Sequence, residues 1–278
     1  MIGANITCGY VDGLWGQVHY RACGDGRPIV LLHQTSVSSL MFVAGMPLLA
    51  DRGFRAIALD TPGYGASDAP PSSPTMTAYA DNLRIVLDAL ALTAPDMLGH
   101  HTGAGIAAIH AARHPDRVGR LVMQGVPWFD AATRAHFSPD WFGDFAPRAD
   151  GGHLVGAWRQ RASVMPGWTD VAAMHRLTVE LLRVNERYAD GFRAALAHDL
   201  EPDLRAIRTP VLNFINRGDS AFALSAATAR LRPDWPFVVH EGGTNDYVDE
   251  APTAWADAVA DFLLPQPAER TLDYAGVA

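Results

Sequence analysis

The chain has 278 residues, of which 49% are hydrophobic, so it is long enough to bury a sizeable core. Its formal net charge is −8 and it contains no basic block, so neither nucleic acid nor an anionic membrane surface is an expected partner. Cys8 and Cys23 are the only cysteines, and they show no disulfide framework and no metal-type spacing. Because neither a signal peptide nor an apolar run of about 18 residues is visible, we expect a cytoplasmic protein.

Short apolar segments alternate with helical patterns along much of the chain. Residues 14–24 alternate apolar and polar side chains, which predicts an antiparallel hairpin before the main sheet. Six later segments are almost continuously apolar, as is typical of parallel strands that are covered on both faces. These segments are residues 28–33, 55–60, 96–100, 120–126, 210–216 and 237–243.

Helical patterns lie between several of these predicted strands. They cover residues 39–53, 77–92, 102–114 and 251–264. Gly53 is suited to a helix C-terminus, and Pro115 follows the third pattern directly. The alternation of strands and helices predicts an α/β fold with a doubly wound, mostly parallel sheet.

Residues 128–206 interrupt the alternation. They contain no convincing strand but many aromatic residues, and residues 151–158, 169–184 and 190–200 have helical patterns. We therefore predict a core domain of residues 1–127 and 207–278, with residues 128–206 inserted as a helical cap. The cap would face the carboxyl ends of the strands, where open α/β sheets bind ligands. Its aromatic side chains, although mostly expected in the cap interior, favour a hydrophobic small-molecule substrate.

The stretch LGHHTGAG, residues 98–105, ends one predicted strand and begins a helix. Its spacing is that of G-x-S-x-G, a strained turn that projects a nucleophilic serine from the top of a sheet. Gly99 and Gly103 leave room for the tight turn, because a Cβ at either position would be crowded. His101 occupies the position of the serine, so the turn is expected to project an imidazole instead.

These features resemble the α/β-hydrolase superfamily, in its capped epoxide hydrolase, haloalkane dehalogenase and C–C hydrolase branch. The segments that carry the resemblance are IVLLHQTSVSS, RAIALDTPGYGASDAP, GHHTGAGIAAIHAARHPDRVGRLVMQGVP, PVLNFINRGDSAF and GGTNDYVDEAPTAWADAVADFL, in this order. The resemblance implies the α/β-hydrolase fold and neither a cofactor nor a metal. It also implies that Asp219 is the catalytic acid and that the backbone N–H of Thr102 is one oxyanion donor.

The chain departs from the family pattern at three positions, which makes it an atypical member. His101 replaces the nucleophilic serine, and Gln34 stands after His33 where the family most often has glycine. Asn245, or Thr244 in the alternative alignment, stands where the family has its catalytic histidine. We place His101, Asp219 and Asn245 in the catalytic set. The candidates for oxyanion or substrate binding are Gln34, Thr102, His33, His100 and Trp128.

Two of these candidates carry specific geometric expectations. The side-chain amide of Gln34 is expected either to donate a hydrogen bond into the pocket or to narrow the oxyanion site. His100 is expected to point away from His101, because neighbouring side chains at a turn diverge.

Other residues are weaker candidates for the missing groups. His240 follows Asp219 in the chain, but a buried, hydrogen-bonded strand histidine is the commoner interpretation of its position. Thr102 and the serines at 36, 38 and 39 are more typical of helix caps than of nucleophiles. Asp130 is a second candidate for the acid, or a residue of a cap helix.

A metal site is not expected. His100 and His101, with Asp219 or Asp246, offer ligand atoms in principle. However, adjacent histidines at a turn rarely bind one ion together, and the usual zinc spacings are absent.

An imidazole titrates near neutral pH and serves as a base, an acid or a nucleophile. With Asp219 or Asn245 as its orienting partner, His101 favours hydrolysis of an ester, lactone or related acyl bond at the inherited oxyanion site. Proton abstraction without hydrolysis, as in a decarboxylase, lyase, cyclase or cofactor-free oxygenase, is the alternative. A ligand-binding receptor without catalysis is a third hypothesis. The sequence leaves the substrate and the oligomeric state open, a homodimer included.

Overall fold

A computed structural model describes residues 5–136, 145–184 and 187–264. Its strands are β1 (Thr7–Gly13), β2 (Gly16–Cys23), β3 (Arg27–Leu32), β4 (Phe54–Leu59), β5 (Asp96–His100), β6 (Leu121–Gln124), β7 (Val211–Asn216) and β8 (Phe237–His240). They form one sheet in the order β1-β2-β4-β3-β5-β6-β7-β8. The pairs β1–β2 and β2–β4 are antiparallel, and every other pair is parallel. The predicted fold class is therefore confirmed.

The interior strands explain why their sequences are so uniformly apolar. Every residue of β5, β6 and β7 is buried, because helices cover both faces of the sheet. The sequence pattern did not predict β1 as a strand of its own. It is an exposed edge strand whose residues show no clean alternation of apolar and polar side chains. Its register runs from Thr7 opposite Ala22 to Gly13 opposite Gly16.

The helices alternate with the strands and also fill the gap between β6 and β7. They are α1 (Met46–Asp51), α2 (Met76–Ala89), α3 (Thr102–Arg113), α4 (Ala131–His136), α5 (Gly152–Ser163), α6 (Val171–Val184), α7 (Asp190–Ala197), α8 (Glu201–Ala206), α9 (Phe222–Leu231), α10 (Tyr247–Glu250) and α11 (Pro252–Leu263). No helix in the described ranges is long and apolar enough to cross a membrane.

The single helix predicted for residues 39–53 is wrong. The structure has a short 3-10 helix, Ser39–Phe42, and then the separate helix α1. Pro47 lies in the first turn of α1, where a missing backbone N–H costs nothing, so the proline fixes a helix start instead of continuing an earlier helix.

Two apolar layers cover the sheet. One layer contains Leu83 of α2, Ile109 of α3 and Leu204 of α8, and the other contains Met46 of α1 and Trp255 of α11. Since α8 packs in the same layer as α2 and α3, the interior is continuous across the predicted boundary at 206/207. The domain limits stay a prediction. Residues 1–4 and 265–278 of the predicted core and residues 137–144 and 185–186 of the predicted cap lie outside the described residues.

His110 in α3 should make the fold sensitive to acid. It is fully buried, and neither ring nitrogen has a hydrogen-bond partner within the described residues. Burial, assisted by His114 and Arg117, lowers the pKa of His110 to about 4. As the pH falls below about 6.5, the unfolded chain takes up this proton before the folded chain does, so stability is lost until about pH 4.

We expect His110→Leu to remove that part of the pH dependence. At about 1.4 kcal/mol per pKa unit, wild type should lose about 3 kcal/mol more of its free energy of unfolding than His110→Leu when the pH is lowered from 7 to 4. Urea unfolding at each pH measures it, with exposed His136→Leu as the matched control. An unfolding free energy that falls with acid as steeply in His110→Leu as in wild type would refute this assignment.

Candidate active site

The turn between β5 and α3 projects one side chain. His101 alone separates the two elements, with φ 47° and ψ −113°, a conformation that residues with a Cβ rarely adopt. A Cβ at Gly99 would lie 2.4 Å from the carbonyl oxygen of Gly103. One at Gly103 would lie 2.2 Å from the carbonyl oxygen of Leu32. The two glycines therefore permit the tight turn that their spacing predicts.

His101 forms a buried dyad with Asp219, which lies in the turn after β7. Its Nε2 is 2.8 Å from Oδ1 and 3.0 Å from Oδ2 of the carboxylate. The backbone N–H of Ala221 donates to Oδ1 at 2.7 Å and fixes the carboxylate. Although burial opposes the charge, His101 and the hydrogen bond from His100 hold the pKa of Asp219 below its usual range.

The ionised carboxylate of Asp219 determines which ring nitrogen of His101 faces it with a proton. A carboxylate only accepts hydrogen bonds, so the proton lies on Nε2 and the lone pair on Nδ1. No hydrogen bond within the described ranges uses Nδ1 of His101, and the residue lines a cavity. The turn thus presents a free basic nitrogen at the position where the motif normally presents a hydroxyl.

The expectation that His100 points away from His101 is wrong. The two ring centroids are 4.2 Å apart, and Nε2 of His100 lies 3.4 Å from Oδ2 of Asp219. The positive φ of His101 breaks the alternation of side chains that would separate neighbours in a strand. Burial, followed by the nearby His101, lowers the pKa of His100 to about 4, so its ring is neutral at pH 7.

The same three side chains offer metal-ligand atoms. The atoms of His100, His101 and Asp219 lie within 4.8 Å of one another. Two ligands at about 2.1 Å from a tetrahedral metal are about 3.4 Å apart. The 2.8 Å separation between His101 and Asp219 is shorter and has the length of a hydrogen bond. The geometry therefore favours a hydrogen-bonded dyad.

Gln34 lies on the cavity, but its amide nitrogen is already used. Nε2 donates to Oδ1 of Asp246 at 3.1 Å and to the carbonyl oxygen of Asn245 at 3.4 Å. Of the two roles considered for Gln34, donation of the amide into the pocket is therefore not what the structure shows. The side chain instead joins the β3 end of the cavity to the loop after β8.

Asn245 lies on the cavity wall without a hydrogen bond to His101. Its Oδ1 accepts from the backbone N–H of Ser220, and its Nδ2 donates to Ser220 Oγ, both at 2.9 Å. Asn245 thus braces the turn that carries Asp219. Thr244, the alternative residue, donates two hydrogen bonds to the carboxylate of Glu250, from its backbone N–H at 2.7 Å and from its hydroxyl at 2.8 Å.

The N-terminus of α3 supplies free backbone donors. Within the described ranges, no hydrogen bond uses the backbone N–H of Thr102 or Gly103, as expected for the first turn of a helix. Thr102 also lines the cavity. The amide of Thr102 and the positive end of the helix are therefore available to an oxyanion beside His101.

His33 and Trp128 do not line the cavity. Nδ1 of His33 is 2.8 Å from the carbonyl oxygen of Gln34, and Nε2 accepts from the N–H of Thr61 at 2.9 Å. Burial lowers the pKa of His33, so a neutral imidazole holds the loop that carries Gln34. Trp128 is half-buried and packs against the apolar layer that contains α3.

The weaker candidates also have structural partners. His240 Nδ1 is 2.8 Å from the hydroxyl of Tyr247, away from the cavity. Asp130 accepts from the N–H of Thr133 at 2.7 Å, at the start of α4. Ser38 accepts from the N–H of Leu40 as a helix cap, whereas Ser36 lines the cavity.

The cavity has a volume of about 430 Å³, the size of a site for a small organic molecule. His101, Gln34 and Asn245 lie on its polar side. Its apolar wall includes Val164, Leu181, Phe192, Leu196 and Leu224, largely from the helices between β6 and β7 and from α9. One charged cap residue, Arg161, also lines it. The sequence analysis did not single out Arg161, because a lone arginine in an amphipathic helix is ordinarily a surface residue.

Comparison with known proteins gives a consistent result. The chain is 30% identical over 264 residues to 2-(acetamidomethylene)succinate hydrolase of Mesorhizobium japonicum, a match that covers 88% of this chain and 91% of the relative. An epoxide hydrolase from an endophytic Streptomyces superposes with a TM-score of 0.77 at 20% identity, over 95% of this chain and 96% of the other. The enol-lactonase of Burkholderia xenovorans LB400 superposes with a TM-score of 0.70 at 23% identity, over 92% and 99%.

The match to a protein family covers most of the sheet, without β1 and β2, and all of the segment between β6 and β7. Residues 27–238 match the alpha/beta hydrolase fold family, which extends from β3 to the middle of β8. The chain therefore belongs to the alpha/beta hydrolase fold family.

Proposed function

We propose that the protein hydrolyses an ester, lactone or related acyl bond of a hydrophobic small molecule, with His101 as the catalytic imidazole. The observation that carries the proposal is the His101–Asp219 hydrogen bond, which leaves Nδ1 of His101 free at the cavity. Two similar proteins are named as a hydrolase and a lactonase, which supports hydrolysis as the reaction class.

In the favoured mechanism His101 acts as a general base. Its Nδ1 removes a proton from water while the water oxygen attacks the acyl carbon. Asp219 stabilises the resulting imidazolium through Nε2–H. The free backbone N–H group of Thr102 stabilises the oxyanion, and the imidazolium then returns the proton to the leaving group.

The alternative is nucleophilic attack by Nδ1 itself. The carbon–nitrogen bond would form, the leaving group would depart, and water would later cleave the acyl-imidazole. Among the described residues that line the cavity, His101 is the only imidazole, so acylation would consume the base that the second step needs. This argument favours the general-base route.

Hydrolysis of 4-nitrophenyl esters with acyl chains of graded length tests the proposal. Intact-protein mass spectrometry of acid-quenched samples then shows whether the protein carries a covalent acyl group. General-base catalysis predicts turnover without a mass increase, whereas nucleophilic catalysis predicts an acyl adduct that His101→Ala abolishes. Failure to hydrolyse any ester of the series above the rate in buffer would contradict the proposed activity.

Proton abstraction from a carbon acid is the second candidate. One observation favours it: the dyad presents a base to a largely apolar cavity and has no adjacent serine hydroxyl to activate. Exchange of an acidic C–H of a ketone probe into D₂O, lost in His101→Ala, would support this reaction. A protein that binds such probes without exchange or hydrolysis would instead be a receptor.

Gly125, directly after β6, should be essential for the position of the His101 ring. It has φ +66°, and a Cβ there would lie 2.1 Å from Cδ2 and 2.5 Å from Nε2 of His101. Gly125→Ala is therefore expected to displace the ring from Asp219 and to lower kcat/KM for the esters by about a hundred-fold.

Gly151 provides the matched control for backbone strain. It has φ +71°, and a Cβ added there would meet no atom within 4 Å, so Gly151→Ala introduces strain without touching the ring. Equal effects of the two substitutions on kcat/KM would refute the role of Gly125.

A further inference from the structure

We propose that Arg161 binds a carboxylate of the substrate, so that the substrate is an acyl compound with a second, anionic end. This inference rests on the proposed function and specifies its substrate class. Arg161 lies on α5 in the cap and lines the same cavity as His101. Its exposed fraction is only 6%, which is low for a charged residue.

The protein itself uses only part of the guanidinium. Nη2 contacts Oδ2 of Asp246 and the sulfur of Met165, the latter at 3.3 Å. Nε is buried without a hydrogen-bond partner, and none of the described residues accepts a hydrogen bond from Nη1. Buried donors are rarely left unpaired, and a charged planar donor group is suited to bind a carboxylate.

The charges around the cavity favour an anion over a cation. Arg161 is the only permanently charged side chain among the described lining residues, and no acidic side chain lines the cavity directly. Asp246 lies behind the wall, fully buried, where it also accepts from Gln34 at 3.1 Å. Because this carboxylate balances the formal charge of Arg161, burial of the cation is tolerated, while its unused N–H donors still favour a group that only accepts hydrogen bonds, such as a carboxylate.

The apolar wall completes the description of the ligand. Val164, Leu181 and Phe192 provide a hydrophobic surface in the same cavity. A carboxylate at Arg161, an apolar body along this surface and an acyl carbon at His101 would satisfy all three regions. A fully neutral ester would leave the spare donors of Arg161 desolvated and unpaired, which costs free energy.

A purely structural role for Arg161 makes a different prediction. The Arg161–Asp246 pair joins α5 to the loop after β8, and a second pair, Arg176–Asp249 at 2.7 Å, joins α6 to α10. Arg176 does not line the cavity. Arg176→Met therefore removes a comparable cap contact without removing a donor from the cavity.

The first experiment compares the mono-4-nitrophenyl ester of glutaric acid with 4-nitrophenyl valerate. We expect Arg161→Met to lower the ratio of the two kcat/KM values by about ten- to a hundred-fold, the range for a lost hydrogen bond to a charged group. Arg161→Lys should retain part of the ratio, and Arg176→Met should retain all of it. Because both esters are measured on one preparation, an unfolded fraction cancels from the ratio.

An unchanged ratio in Arg161→Met, or an equal fall in Arg176→Met, would overturn the proposal. Calorimetry of glutarate and glutaramide binding tests the carboxylate-binding role of Arg161 separately from the proposed hydrolase activity. Glutarate binding that Arg161→Met abolishes, in a protein without esterase activity, supports the anion site while the hydrolase proposal fails. The opposite result is ester hydrolysis by a protein in which wild type and Arg161→Met bind glutarate and glutaramide equally weakly. It would support the hydrolase proposal and overturn the anion site.

Discussion

Replacing His101 with alanine should reduce kcat/KM for 4-nitrophenyl esters by about a thousand-fold, the usual contribution of a positioned acid–base group. The variant keeps the elbow glycines and the helix N-terminus, so the free N–H group of Thr102 at the cavity remains. What it loses is the nitrogen that takes the proton. The loss should appear in kcat, because the imidazole acts on the transition state more than on substrate binding.

His240 provides the matched control for this substitution. It was the alternative candidate for the missing base, but its Nδ1 is hydrogen-bonded to the Tyr247 hydroxyl at 2.8 Å and the residue lies away from the cavity. His240→Ala should leave kcat/KM within a few-fold of wild type. A result in which His240→Ala loses activity and His101→Ala retains it would transfer the catalytic role to His240.

Replacing Asp219 with asparagine should lower kcat by about a thousand-fold, as expected when a catalytic imidazole is held in the wrong tautomer. An amide group presents N–H donors as well as an oxygen, so it no longer forces the His101 proton onto Nε2. The buried imidazolium would also lose its counter-charge, since Asp219 is fully enclosed and its N–H partner Ala221 cannot replace that charge.

Asp130→Asn is the matched control, because Asp130 was the second candidate for the acid. The residue is exposed and caps α4 through Thr133, so its replacement should cost less than a few-fold in kcat. Steady-state kinetics on the two variants decide the assignment. Wild-type kcat in Asp219→Asn would show that the dyad has no part in the reaction.

The sequence predicts the elbow well because the determinants of that turn are local. Gly99 and Gly103 flank His101 within five residues, and the apolar run before them and the small residues after them indicate the strand and the helix directly. Asp219 lies 118 positions further along the chain. Its place beside His101 was expected from the resemblance to a family, since no local pattern connects the two residues.

The side-chain contacts of the site were harder to predict. His100 reaches Asp219 because a single positive φ at His101 redirects the neighbouring ring, and a sequence pattern carries no such dihedral. The side-chain amide of Gln34 donates to Asp246, and that of Asn245 donates to Ser220. Only the folded loops bring these partners together.

Two other features gave weak signals in the sequence. The pattern analysis did not predict α9, because its alanine-rich segment has little amphipathic contrast. Arg161 resembles any surface arginine of a cap helix until the packing of α5 against the loop after β8 shows that it is buried.

Chemical rescue of His101→Gly tests the central claim most directly. Glycine is suited to φ +47° at this position, so the variant should fold with a vacant space where the imidazole was. The account predicts that His101→Gly loses the esterase activity of wild type and that added imidazole restores part of it with saturation. Activity that survives the substitution, or a loss that bound imidazole does not reverse, would contradict catalysis by the His101 ring.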